Sequence, residues 1–363
     1  MKVPFLDLRV TDAEERRSLL QAVEAVFDHG RIILGPEVER LENKIAKRVG
    51  CSFATGVNSG TDALILALRA LEIGPGHEVI TTPLSFVATA NAITLNGATP
   101  VFADILDDLT LDPSSIEPLI TEKTRAILPV HWAGKACMME PILAIAKKRG
   151  LKVIEDCSQA FGALENGRPV GSLGDIGCFS MNSMKILASL GEAGMISTND
   201  PAIHERVDIL RYHGLINREE CHYISHNGRL DTIQAAFVEQ RLVGYDDLLA
   251  RRRETADYYH QALADLVTVP VDRPGCRDVF YTYTIQTPKR DGLQRYLQER
   301  GVETKVQHLP LMPDQPVYRG VTKNSSHRAR ALIQTVLCIP GNEKISSDQR
   351  RYVAETIREF FNR

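Results

Sequence analysis

The chain has 363 residues, which is enough to bury a sizeable core and to divide into two domains. Its composition, 44% hydrophobic and 25% charged, is that of an ordinary globular protein and excludes a fibrous or disordered chain. The net charge of -3 comes from 43 basic and 46 acidic residues mixed along the sequence, so no field of one sign exists to attract nucleic acid.

Cysteine usage and the amino terminus indicate where the protein works. The seven cysteines are scattered and contain no C-x-x-C pair, which argues against a disulfide framework and against a zinc knuckle, so we expect no metal centre. The first twenty residues lack an uninterrupted apolar core, and no apolar run reaches the length of a membrane span. We therefore expect a cytoplasmic protein without a membrane partner.

Short apolar strands alternate with helical stretches through about residue 240, a pattern typical of an α/β fold with a mostly parallel sheet flanked by helices. The predicted strands are 53–57, 78–82, 99–105, 126–131, 152–157, 175–180 and 193–198. The predicted helices between them are 61–71, 85–96, 140–150 and 201–214. The first of these helices is apolar nearly all round, which predicts that it is buried.

The segment 230–266 has helical spacing throughout but is too long to be one globular helix without a break. We interpret it as the connection from a large domain, 1–245, into a small α+β domain, 246–363. The predicted elements of the small domain are a strand at 279–287, a helix at 290–301, a strand at 302–307 and a terminal helix at 346–361.

A candidate anion site lies where the first strand meets the buried helix, at Asn58-Ser59-Gly60-Thr61. Ser59 or Thr61 can cap the helix, Gly60 lets the backbone approach a ligand, and the free N–H groups favour a phosphate. The alternative is a helix cap with no ligand. The usual nucleotide-binding fingerprints are absent, so a phosphate site here would be of another kind.

Two charged residues suggest the chemistry. Asp156 ends an apolar strand, where ligands of open α/β sheets bind, although an acid there can also simply cap a turn. Lys185 stands among small, amide and apolar side chains, although most lysines only face solvent. Together they supply the two charges that pyridoxal phosphate needs, an amine for a Schiff base and an acid for the pyridine nitrogen.

Other residues extend this hypothesis. Ser180 can add a hydroxyl to the phosphate, and Phe86 can stack on the cofactor ring, with ordinary core packing as its alternative. Asn227 precedes a predicted helix, and the residues alone favour interpreting it as a turn residue.

With these residues, the sequence resembles a known family: the pyridoxal phosphate-dependent sugar aminotransferases of the DegT/DnrJ/EryC1/StrS group. This group is a branch of the fold-type I aminotransferases. The resemblance covers essentially the whole chain. The stretches that carry it include "PFLDL", "ILGPEVERLE", "NSGTDAL", "HEVITTPLSFVATANAI", "IEDCSQAFGA", "GDIGCFSMNSMK" and "RLDTIQAA". It implies that residues 1–245 bind the cofactor.

The resemblance also implies a role for each site residue. Lys185 would be catalytic and form the Schiff base, Asp156 would hold the pyridine nitrogen, and Gln159 would lie beside the ring hydroxyl. The other implied cofactor contacts are Ser59, Gly60, Thr61 and Ser180 at the phosphate, Phe86 on the ring, and Asn227 from the second subunit of a homodimer. Arg229 and His308 are the candidate substrate-binding residues.

The chain departs from the family pattern at several positions. The departures are Asn182, Ile186, Cys157, Ser158, Phe161, Gln307, His308, Leu309 and Pro313. We expect these residues to lie at substrate contacts, so that the sugar differs from the best-known ones.

The implied function is transfer of an amino group, with L-glutamate as the expected donor, to a nucleotide-linked keto-sugar, with pyridoxamine phosphate as the intermediate form of the cofactor. Transamination of a cyclitol ketone needs the same residues and stays open. Related sugar dehydratases replace the lysine, so Lys185 speaks against that reaction. A non-catalytic regulatory homologue is the remaining alternative, and it predicts damage to the catalytic set, which is intact.

Overall fold

The computed structural model describes residues 1–320, 323 and 325–362. Its strands, in chain order, are β1 (Phe53–Val57), β2 (Glu78–Thr81), β3 (Thr99–Phe102), β4 (Thr124–Leu128), β5 (Lys152–Asp156), β6 (Leu164–Glu165), β7 (Arg168–Pro169), β8 (Ile176–Ser180), β9 (Gly194–Thr198), β10 (Leu215–Ile216), β11 (Glu220–Cys221), β12 (Tyr283–Gln286) and β13 (Val336–Ile339).

The helices complete the element order. They are α1 (Ala13–His29), α2 (Pro36–Val49), α3 (Gly60–Ala70), α4 (Ala88–Leu95), α5 (Met139–Arg149), α6 (Pro201–Arg211), α7 (Thr232–Val243), α8 (Tyr245–Leu263), α9 (Arg290–Glu299), α10 (His327–Leu332) and α11 (Ser347–Phe361). No helix in the described part of the chain combines the length and the apolar character that crossing a bilayer requires.

The central sheet has seven strands in the order β1-β9-β8-β5-β4-β2-β3. Strands β8, β5, β4, β2 and β3 run parallel, whereas β9 is antiparallel to both of its neighbours. The predicted α/β fold with a mostly parallel sheet is therefore confirmed. Each of the seven strands predicted for the large domain corresponds to one strand of this sheet.

Helix α3 occupies the interior, as its apolar sequence predicts. Leu64, Leu66 and Leu68 are each 2% exposed or less, and the helix packs against β8 and β9. Because its first residue directly follows the carboxyl end of β1, the helix N-terminus points toward the edge of the sheet where the parallel strands end.

The predicted break in 230–266 is confirmed: α7 ends at Val243, and α8 starts at Tyr245 after Gly244. Helix α8 leads to a two-stranded antiparallel sheet of β12 and β13, with α9 and α11 packed around a separate apolar core. Val3, from the start of the chain, belongs to that core. The division of the chain at 245/246 stays a prediction.

The predicted strand at 302–307 is wrong. This segment makes only two isolated bridges, Val302 with Val3 and Lys305 with Cys338. The partner of β12 is β13 instead, which the sequence reasoning did not single out. Helices α1 and α2 were also not predicted as elements, although Asp12 caps α1 through the backbone N–H groups of Glu14 and Glu15.

Candidate active site

A cavity of about 390 Å³ lies between the carboxyl ends of the central strands and the small sheet of β12 and β13. Most of the predicted site residues line it together. These are Gly60, Thr61, Phe86, Asp156, Gln159, Ser180, Lys185 and His308. Ser59, Asn227 and Arg229 are not part of its lining in this chain.

One end of the cavity has the features of a phosphate site. The Ser59 hydroxyl caps α3 by accepting the Asp62 N–H at 3.1 Å. The N–H groups of Gly60 and Thr61 make no hydrogen bond with any described residue. A Cβ on Gly60 would lie 2.5 Å from the Cβ of Ser180, so only glycine lets the loop and β8 approach this closely. Free N–H groups at a helix N-terminus, beside the hydroxyls of Thr61 and Ser180, fit a phosphate dianion.

Asp156 is held rigidly at the end of β5, with only 3% of its surface exposed. Its Oδ2 accepts the Thr89 hydroxyl at 2.8 Å, and its Oδ1 accepts the Ser158 N–H at 3.1 Å. The Thr89 Oγ1 is in turn 2.9 Å from the Ser85 Oγ. Two donors fix the orientation of the carboxylate, so a protonated pyridine nitrogen would find a positioned acceptor here.

Sequence reasoning missed Thr89 and Ser85. Both are almost fully buried and line the cavity. The signal available was the pair of hydroxyl residues four positions apart after β2, a spacing that places them on one side of a helical turn.

Lys185 follows β8 in a non-helical loop and is half-buried, so it is not a fully solvent-facing lysine. Its Nζ lies 4.9 Å from the centroid of the Tyr281 ring, a cation–π distance. No described carboxylate lies within 4.0 Å of that amine, although Asp156 lines the same cavity. Since Lys185 is half-buried, its amine lies partly out of solvent, and it has no ion pair with a described residue. Tyr281, its aromatic neighbour, carries no sequence signal.

Gln159 and Phe86 are placed for two different contacts. The Gln159 Oε1 accepts the Ala133 N–H at 2.8 Å, which leaves the amide NH₂ to donate into the cavity. The Phe86 side chain is 57% exposed and lies 5.7 Å, centroid to centroid, from His308. Phe86 is thus not a core residue, and its ring face is available to a flat ligand.

His308 faces the same space from the small sheet. Burial, together with the positive charges of Lys185 and Lys305, lowers the pKa of His308 to about 4. Its imidazole is therefore neutral at pH 7, able to donate from one nitrogen and accept at the other.

A buried network lies on the other side of β5. Glu155 accepts the N–H groups of Gly171, Leu173 and Gly174 at 2.7–2.9 Å, and its Oε2 is 2.9 Å from the His131 Nε2. The His131 Nδ1 accepts the Cys137 N–H, so the ring proton resides on Nε2, toward Glu155. The network anchors the strand that carries Asp156.

Cys157 lies beside this network and is 1% exposed. Burial raises the pKa of the Cys157 thiol to about 12, so the group stays protonated. His131, Glu155 and Cys157 have ligand atoms within 4.8 Å of one another, but the histidine and the carboxylate already use their ligand atoms in hydrogen bonds.

The departures from the family pattern fall into two groups. Asn182, Ser158, Gln307 and His308 line the cavity, and their contact with substrate stays a prediction. Leu309 is exposed and outside the lining, whereas Cys157, Ile186, Pro313 and Phe161 are buried outside it, Phe161 packing edge-on against Phe179 and Tyr245, so the expectation is wrong for these four buried residues.

Asn227 and Arg229 lie together before α7. The Arg229 Nε donates to the Asn227 Oδ1 at 2.8 Å, and its guanidinium lies 4.6 Å from the Tyr212 ring centroid. The Asn227 carbonyl accepts from the Asn58 side chain at 3.2 Å, one residue before the helix cap. Their predicted roles stay predictions.

Comparison with known proteins finds similar sugar aminotransferases over nearly the whole chain. A model of the DegT/DnrJ/EryC1/StrS aminotransferase family matches residues 13–358. The chain is 39% identical to a Geobacillus stearothermophilus protein named pleiotropic regulatory protein and 37% identical to the dTDP-3-amino-3,6-dideoxy-alpha-D-galactopyranose transaminase of Aneurinibacillus thermoaerophilus, with 99% of each chain covered in both cases. S. venezuelae DesV, solved in complex with a ketimine intermediate, superposes with a TM-score of 0.96 at 37% identity, covering 100% of this chain and 99% of DesV.

The sheet topology and the cavity at its carboxyl edge are those of a fold-type I aminotransferase, so the protein is an enzyme of that class. The chain belongs to the DegT/DnrJ/EryC1/StrS aminotransferase family, which depends on pyridoxal phosphate. The resemblance inferred from the sequence motifs is confirmed.

Proposed function

We propose that this enzyme transfers the amino group of L-glutamate to a nucleotide-linked keto-sugar, in the biosynthesis of an amino sugar, using pyridoxal phosphate held on Lys185. The observation that carries the proposal is that an amine without an ion pair and a buried, doubly hydrogen-bonded carboxylate line one cavity. The Aneurinibacillus relative, named as a dTDP-amino-sugar transaminase, supports the substrate class.

The residues of the cavity fit the cofactor group by group. The free N–H groups of Gly60 and Thr61 and the Ser180 hydroxyl would hold the phosphate at the α3 N-terminus that Ser59 caps. Gln159 would donate to the ring hydroxyl, and Phe86 would cover one ring face. When bound, pyridoxal phosphate supplies an electron sink for the electrons of the broken Cα–H bond.

The chain itself supplies the proton transfers and the charge balance. Asp156 would keep a proton on the pyridine nitrogen, because its carboxylate is fixed by Thr89 and Ser158. Once the amino group of the donor has displaced Lys185 from the cofactor, the free Nζ would take the proton from the donor Cα as a general base. The Tyr281 ring beside this amine limits where it can swing.

We further propose a homodimer in which Asn227 and Arg229 reach the partner's cavity. Both residues lie outside the cavity of their own chain, next to the loop that carries Ser59.

The proposed function is tested by its first half-reaction, the transfer of the amino group from L-glutamate to the cofactor. Adding L-glutamate to the protein loaded with pyridoxal phosphate is expected to remove the visible absorbance and to release one 2-oxoglutarate per site. Lys185→Ala abolishes both signals, whereas Lys289→Ala, which removes an exposed lysine on the small domain, leaves them unchanged. Wild-type protein that keeps its absorbance and forms no 2-oxoglutarate would refute the proposed donor.

A regulatory role is the second candidate, because the Geobacillus relative is named as a regulatory protein. A purely regulatory protein would show no half-reaction with any amino acid. Transamination of a cyclitol ketone would give the half-reaction but no binding of nucleoside diphosphates, which separates it from the sugar-nucleotide reaction.

A further inference from the structure

Lys305 presents a positive charge to the cavity that nothing in the described chain neutralises. It lines the cavity from the small-domain side, together with Gln307 and His308. No described carboxylate lies within 4.0 Å of its Nζ. Among the described residues, the one group that the ammonium contacts is the Phe5 ring, whose centroid is 5.0 Å away.

Apart from Lys185, which the proposed function assigns to the cofactor, the other charges of the lining are already engaged. Asp156 accepts from Thr89 and Ser158, and Glu192 accepts from the Asn182 amide at 2.5 Å. Arg252 is 3% exposed and pairs with Glu343 at 3.0 Å. Lys305 is thus the exposed cation on the side of the cavity opposite Asp156, and it is free to meet a ligand.

The position of Lys305 is fixed by the backbone. Its N–H donates to the Cys338 carbonyl at 3.0 Å, and its carbonyl accepts the Cys338 N–H at 2.8 Å, which ties it to β13. Phe5, the ring beneath the ammonium, is tied to the same segment, because its N–H donates to Glu303 Oε2 at 3.0 Å. The backbone of Lys305 is therefore anchored beside the cavity, and the Phe5 ring lies under its ammonium.

We propose that Lys305 binds an anionic oxygen group of a substrate, either a carboxylate of the amino donor or the diphosphate of the sugar nucleotide. An unpaired ammonium attracts such a group and gains a charge-assisted hydrogen bond to it. The neutral imidazole of His308, which lines the same side, adds a hydrogen-bond donor without adding charge. This inference rests on the proposed function and names the residue that contacts the charged part of its substrates.

The experiment compares Lys305→Gln, Lys305→Arg and Lys289→Gln, each loaded with pyridoxal phosphate. Lys289 is the matched control, because its Nζ also lies over an aromatic ring, 5.5 Å from the Phe361 centroid, but outside the cavity. One arm measures the L-glutamate concentration that half-saturates the loss of visible absorbance. The other arm measures the binding of dTDP, UDP and GDP by calorimetry, at low and at high salt.

We expect Lys305→Gln to weaken one of the two ligands about tenfold, since hydrogen bonds to charged groups have that effect. Lys305→Arg keeps most of the affinity, and Lys289→Gln keeps all of it. The difference in affinity between Lys305→Gln and the wild type shrinks at high salt, because the Lys305 side chain is exposed. Weaker glutamate binding identifies the carboxylate as the bound group, and weaker nucleotide binding identifies the diphosphate.

Two results overturn the inference: Lys305→Gln matching the wild type in both arms, or Lys305→Arg failing as badly as Lys305→Gln, which would mean a structural role. These results are distinct from failure of the proposed function. In that case the wild-type protein does not react with glutamate at all, yet the calorimetric arm still reports whether Lys305 binds an anion.

Discussion

Thr89 is one of the two residues that fix the orientation of the Asp156 carboxylate. Its hydroxyl is buried and donates to the Asp156 Oδ2, so Thr89→Val keeps the shape but removes the donor. We expect the glutamate half-reaction to slow about tenfold, because a small misplacement of a catalytic group is costly. We also expect the pH titration of the cofactor absorbance to shift. Thr89→Ser restores both, and a Thr89→Val enzyme with wild-type rate and titration would contradict this role.

The environment of His308 predicts how the free energy of unfolding depends on pH. Its pKa is lowered from 6.5 to about 4 in the folded protein. Between these values the unfolded chain binds a proton that the folded chain does not, so the free energy of unfolding decreases as the pH falls through this range. Lys305→Gln removes a repelling charge and raises the pKa of His308.

Two measurements check this prediction. Urea unfolding at pH 7 and pH 5 should show a smaller loss of stability in His308→Gln than in the wild type. NMR titration of the His308 ring should give a midpoint near the value above, moving up in Lys305→Gln. A midpoint at the ordinary value of 6.5 would contradict the described environment.

The site residues that could be predicted from the sequence are those that follow strands of the central sheet. Asp156 and Lys185 come after β5 and β8, and parallel strands place such residues at one edge. Thr89 and Lys305 could not be found in that way, because their roles depend on contacts between segments far apart in the chain. Phe161 misled the interpretation, since its side chain turns into the core rather than into the cavity.

At the level of elements, Glu155 fixes β5 to the loop that precedes β8. It is fully buried and accepts three backbone N–H groups besides facing His131. Glu155→Gln replaces one acceptor by a donor that faces other donors, which should lower the free energy of unfolding by roughly 2–3 kcal/mol. Chemical denaturation measures this. The exposed Glu140→Gln on α5 should change it by less than about 0.5 kcal/mol, and equal effects of the two substitutions would refute the role of Glu155.

The strands of the central sheet were predictable because each is a short segment with an apolar centre, and most of its residues are buried on both faces of the sheet. The break before α8 was predictable from helix length, and the structure places it at Gly244. The pairing in the small domain was not predictable, since β12 and β13 are separated by about fifty residues in the sequence and only tertiary contacts select β13 over the segment 302–307.

At the scale of the whole molecule, the proposed dimer makes a strict prediction. Lys185→Ala and Asn227→Ala each damage a different half of a shared site, so each homodimer should be impaired at both sites. A hybrid dimer with one chain of each kind regains one intact site and about half of the wild-type activity. Co-expression with two different tags and tandem purification isolates that hybrid. Failure to recover any hybrid contradicts the dimer, and an inactive hybrid contradicts the sharing of sites between chains.

The central claim is that the ε-amino group of Lys185 carries the cofactor. Borohydride reduction of the protein loaded with pyridoxal phosphate, followed by proteolysis and mass spectrometry, locates the covalent attachment directly. We predict a single pyridoxyl label on the peptide that contains Lys185. A label on any other lysine, or a fully loaded protein that acquires no label, would contradict the account.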